Sequence, residues 1–200
     1  MLVIGLTGPS GAGKGAVSTL FAEYGIPVID ADSVYHELLV PPSPCLDALC
    51  TEFGASILFP DGNLNRKKLG EMVFSDPDAL QKLNEISHRF VMEEIRNQLK
   101  KLRNQDWLAA VIDAPQLFEA GAERDCNIVV SVLADKRLRL ERIIERDGID
   151  AESAMRRIDA QRSDEFFRTH SNYIIENNGS IDHLRPEVKR ILAEMGVVTP

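Results

Sequence analysis

The chain has 200 residues, 44% hydrophobic and 27% charged, with a formal net charge of −8. That length and apolar content suit one domain with a sizeable core and room for inserted lobes. The acidic balance excludes broad binding to nucleic acid or to anionic membranes, which needs a basic surface, but leaves room for a locally positive pocket.

Cys45, Cys50 and Cys126 form no C-x-x-C pair and cannot all pair with one another, which suits a reducing compartment and inert thiols. No apolar run approaches the ~20 residues of a membrane span. The first residues enter a strand with no basic leader. A cytoplasmic protein with no nucleic-acid or membrane partner is therefore expected.

Leu2, Val3, Ile4 and Leu6 make a short apolar run of the size of a buried strand. Gly8-Pro9-Ser10-Gly11-Ala12-Gly13-Lys14 follows, which is G-x-x-x-x-G-K, the Walker A phosphate loop. Its glycines let backbone N–H groups turn inward as an anion nest, at a helix N-terminus that adds partial positive charge. Gly11, Ala12, Gly13, Lys14, Gly15 and Ala16 are the candidate nucleotide-binding residues. Lys14 is also a candidate catalytic group, a point charge for the β- and γ-phosphates. Val17, Leu20 and Phe21 continue at helical spacing, so the context is strand, loop, helix. Gly15 stands where a Ser or Thr hydroxyl usually ligates Mg²⁺, so the ion is expected to be held through water, phosphate and a carboxylate.

Tyr24-Gly25 ends that helix, and Ile26–Ile29 reads as a second buried strand. Asp30-Ala31-Asp32 stands at its C-terminal edge, the edge where open α/β sheets bind ligands. Asp32, with Ser33, could cap a helix over Val34–Val40, hold Mg²⁺ through water, or deprotonate a hydroxyl. Pro41-Pro42-Ser43-Pro44 breaks the chain, and residues 45–105 then show mostly helical spacing. That stretch reads as an inserted helical lobe. Its Arg66, Lys67, Lys68, His88 and Arg89 are either a solvated face or an acceptor-binding surface.

Trp107–Ile112 reads as a third strand and Cys126–Leu133 as a fourth, both almost wholly apolar as in a sheet covered on two faces. Asp113 follows the third strand, where it is either a turn residue or a carboxylate near the metal's waters. A short helix is expected to begin at Gln116–Glu119 and stop near Gly121. Residues 135–146 read as a helix with Arg139, Arg142 and Arg146 on one face, either paired with Glu141 and Glu145 or aimed at phosphate. Ala151–Gln161 is a further short helix, and the two suggest a lid. Ser171–Ile175 gives a fifth strand, Asn177-Asn178-Gly179 a turn, and Ile181–Met195 a last amphipathic helix. His36, His170 and His183 are too far apart in motif terms for zinc.

Strands alternating with helices predict an α/β fold with a five-stranded parallel sheet. The expected organisation is a core over 1–34, 106–134 and 170–200, a helical lobe over 35–105, and a lid over 135–169.

Several stretches together resemble the dephospho-CoA kinases, relatives of the nucleoside monophosphate kinases. They are Gly5-Leu6-Thr7-Gly8, Val28-Ile29-Asp30-Ala31-Asp32, Asp113-Ala114-Pro115-Gln116-Leu117-Phe118-Glu119, Arg142-Ile143-Ile144-Glu145-Arg146-Asp147, Ala160-Gln161 and Asn177-Asn178-Gly179. The resemblance spans almost the whole chain. It implies a P-loop NTPase fold and transfer of a phosphoryl group from ATP, with Mg²⁺, to the ribose 3′-hydroxyl of dephospho-CoA. Asp32 then looks like the base, Arg142 and Arg146 like lid residues near ATP with Arg142 also a candidate catalytic group, and Thr7, Asp32, Arg66, His88 and Asp113 like acceptor-side residues. Asp32 and Asp113 are the candidate metal carboxylates. Gly15 departs from the usual hydroxyl, Arg89 from a usual proline, and Gln116 from a common leucine. A nucleoside monophosphate kinase is the alternative reading. Monomer and small homo-oligomer fit the sequence equally.

Overall fold

The protein, described by a computed structural model over residues 1–197, is built on a five-stranded parallel sheet in the order β2-β3-β1-β4-β5. The strands are β1 (Leu2–Thr7), β2 (Val28–Asp30), β3 (Ala109–Asp113), β4 (Ile128–Leu133) and β5 (Tyr173–Glu176). Leu6 on β1 lies opposite Asp113 on β3 and Val130 on β4, so the phosphate loop leaves the sheet between its two central neighbours. All five residues of β3 are buried, which explains its unbroken apolar run. On one face, α1 (Lys14–Glu23) and α9 (Ile181–Glu194) contribute Val17, Leu20, Phe21, Val188, Ile191 and Leu192 to a core with Ile4, Leu6, Val111 and Val132.

The chain divides into two compact units. The first holds Met1–Ile29 and the chain from Leu102 onward, and so contains the sheet. It also carries α6 (Lys136–Asp147), α7 (Ala151–Asp159) and α8 (Asp164–His170) in the crossover from β4 to β5. Ile143, Ala154 and Ile158 form the small core that joins α6 to α7.

The second unit, Asp30–Lys101, is helical. It comprises α2 (Ala31–Leu38), α3 (Pro44–Phe53), α4 (Arg66–Val73) and most of α5 (Pro77–Asn104). Leu39, Cys45, Leu49, Ile57, Leu69 and Val73 are its core. Local polar residues start its helices. The side chain of Ser43 accepts from the Leu46 N–H ahead of Pro44 at the first helical turn, and that of Asn65 accepts from the Lys68 N–H.

The structure differs from the sequence reading in several places. The third strand begins at Ala109 rather than Trp107, because Asp106 turns the chain with φ 59° and leaves Trp107 and Leu108 41% and 75% exposed. Residues 116–121 form one turn, not a helix. Ala120 N–H reaches Gln116 O, then Gly121 takes φ 68° and a short 3-10 turn follows at Ala122–Asp125. A single turn bonds too few residues to repay its own nucleation. The helix α8 was not foreseen; Ser163 caps it and it buries Phe167. The cap of α2 is Asp30, not Asp32 or Ser33. The core stretch expected to reach residue 200 lies outside the described residues after 197.

Candidate active site

The phosphate loop starts with a tight turn. Ala12 N–H donates to Pro9 O at 3.1 Å, so Pro9 to Ala12 form a β-turn with Ser10 and Gly11 at its centre. Gly11 has φ 78°, the value that a type II turn requires at its third position. A Cβ there would lie 2.6 Å from Arg139 O, so only glycine fits. Gly13, at φ 89°, is the N-cap of α1, and a Cβ on it would collide with the side chain of Asn177.

Each carbonyl from Pro9 to Ala12 is held by a donor. Pro9 O takes Ala12 N–H. Ser10 O accepts from Arg139 Nε at 3.1 Å. Gly11 O accepts from Arg142 Nη1 at 3.2 Å, and Ala12 O from the same nitrogen at 3.4 Å and from Asn177 Nδ2 at 2.8 Å. With its carbonyls tied outward, the loop turns amides inward. No side chain caps α1, so its first-turn N–H groups add to the same anion-binding concavity.

The braces come from far along the chain. Arg139 sits on α6, only 4% exposed, with Nη1 3.3 Å from Asp164 and Nη2 3.0 Å from Gln161 Oε1. Burial pulls its guanidinium below the ordinary arginine value, and Asp164 partly restores it. Asn177 is buried at the end of β5. Asn178 braces the start of α6, its Oδ1 accepting from Asp135 N–H at 2.8 Å.

Lys14 makes an ion pair with Asp113, which is buried at the tip of β3. The sheet register carries this pair, since β1 and β3 end side by side. Thr7, fully buried, donates to Pro115 O at 3.3 Å and so ties the tip of β1 to the segment after β3. Arg142, beyond its loop contacts, donates Nη2 to Asn177 O at 3.1 Å. Arg146 is exposed and holds Asp147 through two bonds of 2.7 and 2.8 Å, with Nη2 3.3 Å from Ser10 Oγ. Those bonds, with the nearby Arg157, hold the Asp147 carboxyl down at about 2.

Beside the loop lies a cavity of about 450 Å³, lined by Gly8, Pro9, Pro115, Glu119, Gln161 and Arg162 among others. Arg162 Nε meets Glu119 Oε1 at 3.2 Å, so one positive and one negative group face each other at its edge. Burial pushes the Cys126 thiol up to about 12, which keeps it protonated and unreactive at neutral pH.

The second unit carries the remaining candidates. Asp32 is exposed in the first turn of α2, where Asp30 Oδ1 accepts from its N–H at 3.0 Å. Ser33 also donates to Asp30, at 2.9 Å, so the carboxylate of Asp30 is engaged in capping. Arg66, with Lys67 and Lys68, is exposed at the start of α4, and His88 is half-buried on α5.

The structure thus gathers Thr7, Gly11–Ala16, Asp113, Arg142 and Arg146 at one end of the sheet. Sequence reading placed Arg139 on the right helix face but not in the interior, and read Asn177 as a turn residue rather than a brace. Its position just past a strand, at the sheet edge that binds ligands, was the available signal.

A parallel sheet with a Walker A loop at its centre, a lysine–carboxylate pair at the loop and an arginine-bearing crossover define a P-loop kinase. The chain matches the dephospho-CoA kinase family over residues 2–183. It is 37% identical over 195 residues to a dephospho-CoA kinase of Syntrophotalea carbinolica, covering 98% of this chain and 92% of that protein. With one of Symbiobacterium thermophilum it shares 39% identity over 94% of this chain and 79% of the relative. The dephospho-CoA kinase structure from Campylobacter jejuni superposes with a TM-score of 0.72 at 27% identity, over 96% of both chains. The chain belongs to the dephospho-CoA kinase family.

Proposed function

We propose that this protein is a dephospho-CoA kinase, transferring the γ-phosphoryl group of ATP to the ribose 3′-hydroxyl of dephospho-CoA in the last step of coenzyme A synthesis. Family membership over nearly the whole chain is the observation that carries the reading. A nucleoside monophosphate kinase would phosphorylate a phosphate and would have no use for a hydroxyl-activating carboxylate at Asp32.

Phosphoryl transfer asks the protein mainly for positioning and charge stabilisation. The amides of Gly11–Ala16, apart from those of Ala12 and Ala16 that close backbone turns, cradle the phosphates of ATP. Lys14 turns from the carboxylate of Asp113 to β- and γ-phosphate oxygens, which leaves that buried carboxylate for the waters that Mg²⁺ would carry. Arg146 leaves Asp147 for phosphate in the same way, and Arg142 supports the loop from behind. Asp32 orients the 3′-hydroxyl and accepts its proton. Asp30, already engaged at the helix cap, supports that assignment. Arg66 and His88 serve the acceptor, Thr7 holds the two strand tips together, and the lid excludes water from the transfer.

Among the described residues, no group of three or more His, Cys, Asp or Glu could hold a metal alone. Mg²⁺ would arrive with ATP and keep several waters, and Asp113 and Asp32 are the carboxylates we propose for those waters. Bound there, the ion would supply positive charge to offset that of the phosphates. No described helix is long and apolar enough to cross a membrane, and we read the enzyme as cytoplasmic, a monomer or small homo-oligomer.

A coupled ADP-release assay with dephospho-CoA against AMP, CMP, UMP and GMP tests the function. Turnover with dephospho-CoA alone is expected. Preference for a nucleoside monophosphate would overturn it.

A further inference from the structure

The central peptide of a β-turn can flip, and the flip separates type I from type II. In the phosphate loop that unit is the bond between Ser10 and Gly11, so its orientation decides where the Gly11 N–H points. Two side chains outside the loop hold Ser10 from both ends. Arg139 Nε donates to Ser10 O at 3.1 Å, and Gln161 Oε1 accepts from Ser10 N–H at 3.1 Å. A third bond, 3.0 Å from Arg139 Nη2 to Gln161 Oε1, joins the two holders to each other. Asp164 fixes the remaining arm of the guanidinium. The ring is closed, and each nitrogen of the buried Arg139 guanidinium has a partner in it or beside it.

We propose that Arg139 and Gln161 form a peptide clamp that sets the type II orientation of the Ser10–Gly11 peptide and so aims the Gly11 amide into the phosphate nest. They are positioning residues: neither acts on the nucleotide except through the loop. The geometry favours this over simple stapling of the crossover, for a staple would need one bond to the loop. Here the carbonyl is pulled one way and the preceding N–H is held separately. Gly11 supplies the matching half, since its φ of 78° is open to glycine at no cost. Gln161 lies in the turn between α7 and α8, and so ties the state of that segment to the state of the loop.

The inference rests on the loop's binding ATP, which calorimetric titration of the wild-type chain checks first and which needs no acceptor. Gln161→Leu removes the shared acceptor oxygen. Its Kd for ATP should rise on the order of tenfold, the size of one lost hydrogen bond with an orphaned donor. The KM for dephospho-CoA should hold, while the melting temperature falls by a few degrees because one nitrogen of the buried Arg139 loses its acceptor. Gln161→Glu keeps an acceptor oxygen and should recover most of the affinity. In ¹⁵N-labelled wild-type protein, the Gly11 amide resonance should shift strongly on adding ATP and the Ser10 amide weakly.

Failure of the wild type to bind ATP would sink the kinase reading itself. If it binds, the clamp alone is overturned by any of three results. Gln161→Leu could bind ATP like wild type, Gln161→Glu could be no better than Gln161→Leu, or the Ser10 amide could shift more than that of Gly11. Should Gln161→Leu not fold, the amide shifts decide.

Discussion

The phosphate loop and the helical unit are held together in opposite ways. The loop is fixed by side chains more than a hundred residues away: Arg139 and Arg142 from α6, Gln161 from the turn before α8, Asn177 from the end of β5. The helical unit relies on local devices, such as Ser43 on Leu46 N–H, Asn65 on Lys68 N–H and Asp30 on Asp32 N–H, around a modest apolar core. These long-range bonds, from the buried one of Asn177 to the exposed one of Gln161, form only when the whole sheet is assembled, and they leave the loop little freedom. Local caps specify helices one at a time. The contrast teaches that the donor end is rigid before any ligand arrives, which is how a nest of backbone amides avoids reorganising at the moment of reaction.

That contrast can be attacked where it is strongest. Lys14→Ala removes the loop's point charge and strands Asp113 in a buried position. Turnover should fall by about 10³-fold, and stability by about 3 kcal/mol, the usual cost of orphaning one member of a buried pair. Steady-state kinetics and thermal melting check both; a variant that keeps its activity would reject the loop as the donor site.

Gly13→Ala should come next. Alanine at φ 89° is strained by about 1–2 kcal/mol, and its Cβ would displace the side chain of Asn177. ATP affinity should drop about 100-fold while the helical unit keeps its circular dichroism signal. Asn177→Ala is milder, because Arg142 still donates to Ala12 O. A loss of about 1–2 kcal/mol in ATP binding is expected. Measured affinities in the reverse order would show that the brace, not the glycine, governs the loop.

The smallest effect concerns pH. The Asp147 carboxyl, held at about 2 chiefly by Arg146, has a folded value below its ordinary one. Its contribution is therefore fully present above about pH 4 and is lost as pH falls through about 2. Asp147 is half-buried but its partners Arg146 and Arg157 are open to solvent, so the contribution is small. Asp147→Asn should lower the melting temperature by at most a few degrees at pH 6, and the gap should close between pH 4 and 2. A gap that widens there would contradict the assignment.

Much of this was legible in the chain itself. The Walker A spacing, its flanking strand and helix, and the apolar runs of five strands locate the donor site because each is a local pattern. The helical spacing of Arg139, Arg142 and Arg146 correctly put them on one face of α6. What that spacing could not tell is whether the face meets solvent, phosphate or backbone. The answer depends on where β4 delivers α6, a matter of tertiary register. Asn177 and Gln161 stood in stretches that carry the family resemblance, but their bracing role escaped for the same reason: a single amide side chain looks alike in a turn and in a brace. Trp107 misled because an apolar pair before a strand looks like more strand, while the left-handed turn at Asp106 carries no glycine to announce it. α8 was hidden because seven residues give too little periodicity.

The donor loop is preformed, the proposed base Asp32 lies on α2, and one variant probes the separation of their roles most directly. Asp32→Asn removes a proton acceptor without touching the loop. With dephospho-CoA as acceptor, kcat should fall by about 10²- to 10⁴-fold, and calorimetric titration should return an ATP Kd within about threefold of wild type. Undiminished kcat would remove Asp32 from catalysis. A comparable collapse in ATP affinity would show that the carboxylate and the loop are not the independent parts described above.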